Sequence, residues 1–429
     1  MKVSEIFDGM LDNLKVDNRP AIARRRDEIA KALNKEFRSL VGSTNNQLMV
    51  GSYGRGSAIR GISDLDMLYI LPPAIRDNYK GDTGPQRVLV RTRDAIRSRY
   101  PSTEVSVDQC VIVVQFQNFK FEVQPVFEND DDSFSYPDTY SQSWKITKPR
   151  AEIDAIRTRD SITSGNLRNL CKMARAWKNA HGVVMGRLLI DTLAYNFFQT
   201  STDYDDASTS DYDVMARDFF KFLSEEDDHQ HYAALGSGQR VKVKKPFQRR
   251  AKRAYNLCLE AIEAEGKSSM SKQWRAVFGK QVPASLAAAL SHEAYSFDNT
   301  EEFIEDRYPI DVRYGLTIDC KVTQDGFRTL WLGDLLAKRL PLRTKKDLVF
   351  TISECEVPQP YSIKWKVLNR GDEAERRNNI RGQITDPNRR AGGRQEITSF
   401  RGDHYVECYV IKAGVVVARD RIEVPIQPA

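Results

Sequence analysis

The spacing of apolar residues changes twice along the chain and thereby predicts three regions. Residues 3–13 and 19–40 predict helices, the second with Pro20 near its first turn and apolar residues at helical spacing. Short apolar or alternating runs between residues 47 and 127 predict strands, interrupted by a helix over residues 86–99. The last of these runs, from Val105 onward, are predicted to be antiparallel strands beside the first pair. Residues 1–160 are therefore expected to form a mixed α/β core.

The two later regions differ from the core and from each other. Apolar residues between Leu167 and Trp177 recur at helical spacing, which predicts a helical lobe over residues 161–300. After Tyr308 the period becomes two, with Lys412-Ala413-Gly414 as a hairpin turn, which predicts an all-β domain over residues 301–429. The expected fold class is α+β.

Composition is that of an ordinary soluble globular protein. The 429 residues include 65 basic and 59 acidic ones, a net charge of +6, and no stretch long and apolar enough for a membrane span or signal peptide. The six cysteines are widely separated, which excludes CxxC metal or redox spacing. We expect reduced thiols and a cytoplasmic location.

Basic residues cluster in two places, and each cluster allows two interpretations. The run Arg240–Arg253 is either a solvated surface or a polyanion site. The Arg-rich segment Asn369–Arg394 lacks apolar periodicity, so we expect a long exposed loop there. That loop either binds an anionic nucleotide or polyanion, with Arg381 and Arg394 taking part, or only adds solubility.

The candidate catalytic residues are concentrated in the first region, residues 1–160. Gly51-Ser52 lies at a strand end, and Asp64 and Asp66 follow within an apolar strand. Residues i and i+2 of a strand share a face, so both carboxylates point the same way. Without local cations they repel each other, an arrangement that a divalent metal such as Mg²⁺ neutralises. The Gly-Ser turn supplies backbone N–H groups and a hydroxyl that can hold triphosphate oxygens.

A third carboxylate would complete a two-metal site for transfer to a hydroxyl group. Glu122 is the candidate, because it lies between apolar residues in a strand, as an inward-pointing acid would. Asp108 is the rival, but it stands beside Gln109 near a turn. We rank Glu122 above Asp108.

These residues stand in a recognisable order: Gly-Ser, eleven residues, Asp-Leu-Asp, then FEVQPVF. The order resembles the polymerase-β-type nucleotidyltransferase superfamily. GSYGRGSAIRGISDLDMLYIL, residues 51–71, resembles its oligoadenylate synthetase and cyclic-GMP-AMP-synthase branch, specifically the bacterial cGAS/DncV-like (SMODS-type) enzymes of anti-phage defence systems. The resemblance implies that Asp64, Asp66 and Glu122 bind two Mg²⁺ ions, with Mn²⁺ as a substitute, and that Gly51 and Ser52 contact phosphate.

The resemblance extends beyond the core. NLCKMARAWKNAHG, residues 169–182, resembles the family's spine helix, which implies that Lys172 and Arg175 face the triphosphate from the side opposite the apolar stripe. Arg187 is expected in the nucleotide pocket, where relatives often carry a small polar residue. The C-terminal region, from IKWKVLNRGDEAE onward, resembles the sensor domain appended to many bacterial members.

The implied activity is synthesis of a cyclic di- or trinucleotide second messenger from NTPs, ATP among them, with release of pyrophosphate. The implied partners are an effector that responds to the product and, as in some relatives, a peptide-binding activator with its ATPase; no membrane or obligatory nucleic acid is expected. Two alternatives stay open: a transferase that makes linear oligonucleotides or nucleotidylates proteins, and a catalytically silent nucleotide sensor.

Overall fold

The computed structural model describes residues 1–284, 301–323 and 328–427. Two compact units are present. Residues 3–175 and 186–255 form the core unit, while residues 1–2, 176–185 and 256–429 form the C-terminal unit. This division differs from the three predicted domains, because the described part of the predicted helical lobe, residues 161–284, is shared between the two units. Residues 285–300 of that lobe lie outside the described residues. Among the described residues, no helix is long and apolar enough to cross a membrane.

Helices dominate the N-terminal two thirds of the chain, and the two predicted N-terminal helices and the one near residue 86 are present. The described α-helices are α1 (Val3–Leu14), α2 (Arg19–Arg38), α3 (Gly51–Gly54), α4 (Gly84–Arg99), α5 (Pro149–Ile162), α6 (Asn166–His181), α7 (Arg187–Thr200), α8 (Tyr212–Glu225), α9 (Gln248–Glu263), α10 (Met270–Phe278), α11 (Leu332–Ala337) and α12 (Asp372–Arg376).

Strands of the core unit form a seven-stranded sheet and a separate hairpin. They are β1 (Gln47–Met49), β2 (Asp64–Ile70), β3 (Glu104–Asp108), β4 (Val111–Gln115), β5 (Lys120–Glu128), β6 (Phe134–Asp138), β7 (Ser143–Thr147), β8 (His231–Ala233) and β9 (Arg240–Lys242). The sheet order is β1-β2-β5-β4-β3, with β6 and β7 extending from β5. The predicted antiparallel pairing holds for β3-β4-β5, but β5 runs parallel to β2.

One face of this sheet is packed against helices. On β2, Leu65, Met67 and Tyr69 are fully buried in the same apolar cluster as Leu33 of α2 and Leu89 of α4. Because strand residues alternate between faces, the even-numbered residues of β2 point away from this helical layer. The sheet therefore has a second face on which polar residues can be placed.

The C-terminal unit contains two four-stranded antiparallel sheets, as the period-two pattern predicted. Its strands are β10 (Leu316–Thr323), β11 (Leu330–Trp331), β12 (Asp347–Cys355), β13 (Ser362–Leu368), β14 (Arg381–Thr385), β15 (Arg394–Ile397), β16 (Gly402–Lys412) and β17 (Val415–Ile426). The sheet orders are β11-β10-β12-β15 and β14-β13-β16-β17. The predicted hairpin turn at Ala413-Gly414 joins β16 to β17, with both residues at positive φ.

The Arg-rich segment is not the long exposed loop that the sequence predicted. It contains α12 and β14, and it reaches β15 at Arg394. Arg381 donates to Glu396 at 2.6 and 3.0 Å, and Arg394 donates to the same carboxylate at 2.7 Å. Arg381 thereby joins β14 to β15, and Arg394 does so by donating to the hydroxyl of Thr385 at 2.8 Å. Reversing their charges would therefore disturb the fold before it tested binding of an anion.

Candidate active site

The acidic residues lie on the sheet face opposite the helical layer. Asp64 and Asp66 share that face of β2, and the parallel register places Asp66 opposite Glu122 and Asp64 opposite Lys120 on β5. Apolar Phe121 and Val123 point to the other face, where both are fully buried. The expectation that Glu122 lies on the strand adjacent to the Asp pair is confirmed.

Two cations lie within this acidic set. Nη2 of Arg187 is 2.5 Å from Oδ2 of Asp64, and its Nη1 is 4.0 Å from Oδ2 of Asp66. Nζ of Lys120 is 2.5 Å from Oε1 of Glu122 and 3.7 Å from Oδ1 of Asp64. The acids therefore do have local cations, contrary to what we expected from the sequence.

The pKa of Asp66 is strongly perturbed. Burial raises the pKa of Asp66 to about 6, with the charge of Arg187 opposing the rise and the carboxylates of Glu122 and Asp64 adding to it. The side chain of Asp66 is nevertheless 31% exposed to solvent, whereas that of Asp64 is 5% exposed. Asp66 is therefore a crowded carboxylate that solvent can still reach.

Gly51 is required by the position of Asp66. Its φ is +61°, and a Cβ on Gly51 would overlap the Asp66 carboxylate. The backbone N–H of Val50 donates to the carbonyl of Asp66 at 2.9 Å, which fixes the turn against β2. Ser52 is buried, and its carbonyl accepts the N–H groups of Ser57 and Ala58 at 3.0 and 3.1 Å. The Gly-Ser turn thus lies directly beside the acids, as expected.

Arg175 of α6 is held by buried contacts, and its expected contact with the triphosphate stays a prediction. It is 5% exposed, and its Nη2 lies 2.5 Å from Oδ1 of Asp191 on α7. The same nitrogen donates to the hydroxyl of Ser57 at 2.9 Å and to the carbonyl of Arg187 at 3.1 Å. Its charge is already compensated by a buried carboxylate, so it supports Arg187 and the glycine-rich turn.

A second arginine completes this buried network. Arg55 donates to Asp191 at 2.8 Å and to Glu152 of α5 at 3.0 Å. Ser57 also donates to Asp191, at 2.9 Å. Burial alone would raise the pKa of Asp191, but Arg175 and Arg55 outweigh it and lower that pKa. Asp191 therefore ties the turn after Gly51 to α6 and α7.

Lys172 lies apart from these contacts. It is half-buried, its Nζ is 3.5 Å from Oδ1 of Asn169, and burial lowers its pKa. Arg168, one turn earlier on α6, reaches the turn instead and donates to the carbonyl of Arg55 at 3.0 Å. The rival acid Asp108 is exposed at the end of β3.

Family comparisons match both ends of the chain. Residues 1–160 match the Second Messenger Oligonucleotide or Dinucleotide Synthetase domain (SMODS), and residues 298–427 match the Adenylyl/Guanylyl and SMODS C-terminal sensor domain. The chain belongs to the cGAS/DncV-like nucleotidyltransferases. It is thus an enzyme of the nucleotidyltransferase class. No curated protein matched the sequence.

Solved structures of Escherichia coli MS115-1 CdnC share the fold of this nucleotidyltransferase. CdnC with ATP is 16% identical, with 66% of this chain and 99% of that chain covered and a TM-score of 0.50. CdnC in complex with HORMA-deltaN is 14% identical, with the same coverage and a TM-score of 0.51. At these identities the likeness concerns the fold alone.

The acids fit a divalent cation by their chemistry. Asp64, Asp66 and Glu122 offer hard oxygen donors, and the raised pKa of Asp66 reflects burial and the proximity of the other two carboxylates. Within the described ranges, no three acidic, His or Cys side chains are grouped closely enough to form a complete metal site. One or two carboxylates together with substrate phosphates are the usual ligands of Mg²⁺ in such enzymes.

Sequence reasoning missed Lys120, Arg55 and Ser57 in this nucleotidyltransferase. Lys120 had a usable signal, because it stands two residues before Glu122 and so shares its face of the strand. Arg55 and Ser57 lie inside the glycine-rich motif itself, but their partner Asp191 is more than a hundred residues away. Spacing along the chain carries no signal for such a contact.

Proposed function

We propose that this enzyme joins NTPs into a cyclic di- or trinucleotide with release of pyrophosphate. The observation that carries the proposal is the SMODS match over the residues that bring Asp64, Asp66 and Glu122 to one sheet face beside Gly51. A ribose hydroxyl oxygen bonds to the α-phosphorus of a second nucleotide, and the α–β phosphoanhydride bond breaks. A second such transfer closes a dinucleotide ring, and a third is needed to close a trinucleotide ring; each transfer releases one pyrophosphate and the proton of the hydroxyl.

The residues of the site have separate proposed roles. Gly51 leaves room for the Asp66 carboxylate. The N–H groups of Ser52 and Tyr53, at the start of α3, would contact phosphate oxygens, whereas those of residues 54–58 donate to backbone carbonyls. Arg187 adds a positive charge at the acids. Asp64, Asp66 and Glu122 would hold Mg²⁺, which supplies charge neutralisation for the attacking and leaving oxygens.

Analysis of the product tests the proposal. The purified chain is incubated with four labelled NTPs and Mg²⁺ or Mn²⁺, treated with phosphatase, and its products are resolved by mass spectrometry. We expect a phosphatase-resistant cyclic species. A linear 2′-5′ oligonucleotide or labelled protein would indicate the first alternative function, and binding of a cyclic nucleotide without any turnover would indicate a sensor.

Replacing Gly51 by Ala should lower the rate of product formation about a hundredfold, because the added Cβ displaces the Asp66 carboxylate. The measurement is the initial rate under saturating NTPs. Gly81→Ala is the matched control: Gly81 has φ +79°, but nothing lies within 4 Å of its Cβ position. Both variants carry the same type of backbone strain, about 1 kcal/mol, so equal rates in the two would contradict the role given to Gly51.

The biological setting and partners are also proposed. Membership of the family supports a role in anti-phage signalling, with an effector that responds to the product. The complex of CdnC with HORMA-deltaN supports a partner protein of the HORMA type for this enzyme. The further proposal, that this partner is a peptide-binding activator with its ATPase, rests on the family resemblance. Co-purification of the chain with such an activator, and a rise in product yield on adding it, would test this partner.

A further inference from the structure

Two cations accompany the acidic set in this structure, and one of them, Lys120, has no role in the proposed chemistry. It stands on the same strand face as Glu122 and opposite Asp64 in the β2-β5 register. Its Nζ is 2.5 Å from Glu122 and 3.7 Å from Asp64, so it lies between carboxylates of two strands. The strand pairing itself therefore places a cation within the acidic set.

The second cation, Arg187, is anchored through its backbone. Arg187 is the first residue of α7, and its carbonyl accepts a hydrogen bond from Arg175, which Asp191 holds in place. Its guanidinium extends to Asp64 and keeps 23% of its exposure. The main chain of Arg187 is thus fixed, while its charged end can exchange partners with groups that enter from solvent.

Together these contacts give the set a small net charge. Three carboxylates and two cations leave one negative charge in excess. A divalent ion that arrives alone must compete with Lys120 and Arg187 for the same oxygens, and it meets a weak attracting field. A nucleotide triphosphate changes that balance, because its phosphates are alternative acceptors for both cations.

We propose that Lys120 and Arg187 are the internal counter-ions of the nucleotide-free site, so that the divalent ion binds together with the triphosphate rather than before it. The inference rests on the proposed function, since it concerns the metal that this function requires. It assigns Lys120 a positioning role: the residue acts through the carboxylates that it neutralises. Ordered entry of this kind would keep the acids paired, and the sheet face stable, between turnovers.

Direct measurement of metal binding tests the proposal without any turnover. The full chain is titrated with Mn²⁺ in the absence of nucleotide, and free Mn²⁺ is followed by electron paramagnetic resonance. Lys120→Gln and Arg187→Gln should each tighten Mn²⁺ binding about tenfold, because each removes a competing positive charge. Adding a non-hydrolysable NTP analogue should tighten binding by wild-type protein and reduce the difference between wild type and variants.

Three further variants make the result specific. Lys120→Arg keeps the charge and should keep the wild-type affinity. Lys31→Gln removes a lysine that pairs with Glu28 at 2.9 Å on α2, away from the acids, and should change nothing. Asp66→Asn, combined with either Gln variant, should remove the Mn²⁺ binding measured in that variant.

Two outcomes would overturn the proposal: equal Mn²⁺ affinity in wild type and both Gln variants, or Mn²⁺ binding that survives Asp66→Asn. Lys120→Gln and Arg187→Gln remove different ion pairs, so either variant suffices if the other fails to fold. The titration is independent of the product. If the Gln variants bind Mn²⁺ more tightly but the chain makes no cyclic nucleotide, only the proposed function is refuted. If the chain makes cyclic nucleotide but the Gln variants bind Mn²⁺ no more tightly, only the counter-ion role is refuted.

Discussion

Replacing Asp64 or Asp66 by Asn is expected to lower cyclic nucleotide formation by about a thousandfold or more. Each substitution removes a charged oxygen from the face that β2 shares with Glu122, while the side chain keeps its shape. Loss of charge stabilisation for the reacting oxygens costs several kcal/mol, and each 1.4 kcal/mol is a factor of ten in rate. The measurement is product yield over time with Mg²⁺ and with Mn²⁺.

Asp108→Asn is the matched control for this prediction. Asp108 was the rival for the third acidic position, but it is exposed at the end of β3. We expect it to retain wild-type activity, whereas Glu122→Gln should lose it. Wild-type turnover by a doubly substituted Asp64→Asn, Asp66→Asn enzyme would refute the assignment of the site, and loss in Asp108→Asn would require a different third acid.

Asp191→Asn is expected to destabilise the core unit by about 3–5 kcal/mol, because it leaves two buried arginines without their shared carboxylate. Arg55 and Arg175 are 3% and 5% exposed, and both donate to Asp191. Water cannot easily replace the lost partner at such depth. Urea denaturation of wild type and variant measures the change in the free energy of unfolding.

The effect should also depend on pH in a defined direction. The pKa of Asp191 is lowered in the folded protein, mainly by Arg175 and Arg55 against the effect of burial. An acid whose pKa is lowered by folding stabilises the folded state at pH values above its unfolded pKa, which is about 4 for Asp. This stabilisation is lost as the pH falls toward the pKa of the folded state. The difference between wild type and Asp191→Asn should therefore be constant at neutral pH and shrink below about pH 4.

Asp154→Asn controls for loss of an ion pair as such. Asp154 pairs with Arg157 one turn away on α5, and the two side chains are 60% and 67% exposed. Exposed pairs of this kind contribute about 0–1 kcal/mol. Equal destabilisation in Asp154→Asn and Asp191→Asn would contradict the buried network as the source of the effect.

The sequence alone determined the local elements and the central pair of acids. Period two around Asp64 and Asp66 was sufficient to place both carboxylates on one face, since alternation is a property of any strand. The apolar residues flanking Glu122 placed it correctly on an inner strand. The hairpin at Ala413-Gly414 followed from its turn residues in the same way.

Tertiary structure decided which distant residues meet these elements. The parallel pairing of β5 with β2 brought Lys120 to Asp64, and the start of α7 brought Arg187 there as well. Arg175 has a buried partner, Asp191, that the spacing of residues along α6 did not indicate. Periodicity reports only which side of its own element a residue faces, whereas charge pairing depends on which elements pack together. The positions of the acids could therefore be predicted from the sequence, whereas the cations that neutralise them could be identified only from the tertiary structure.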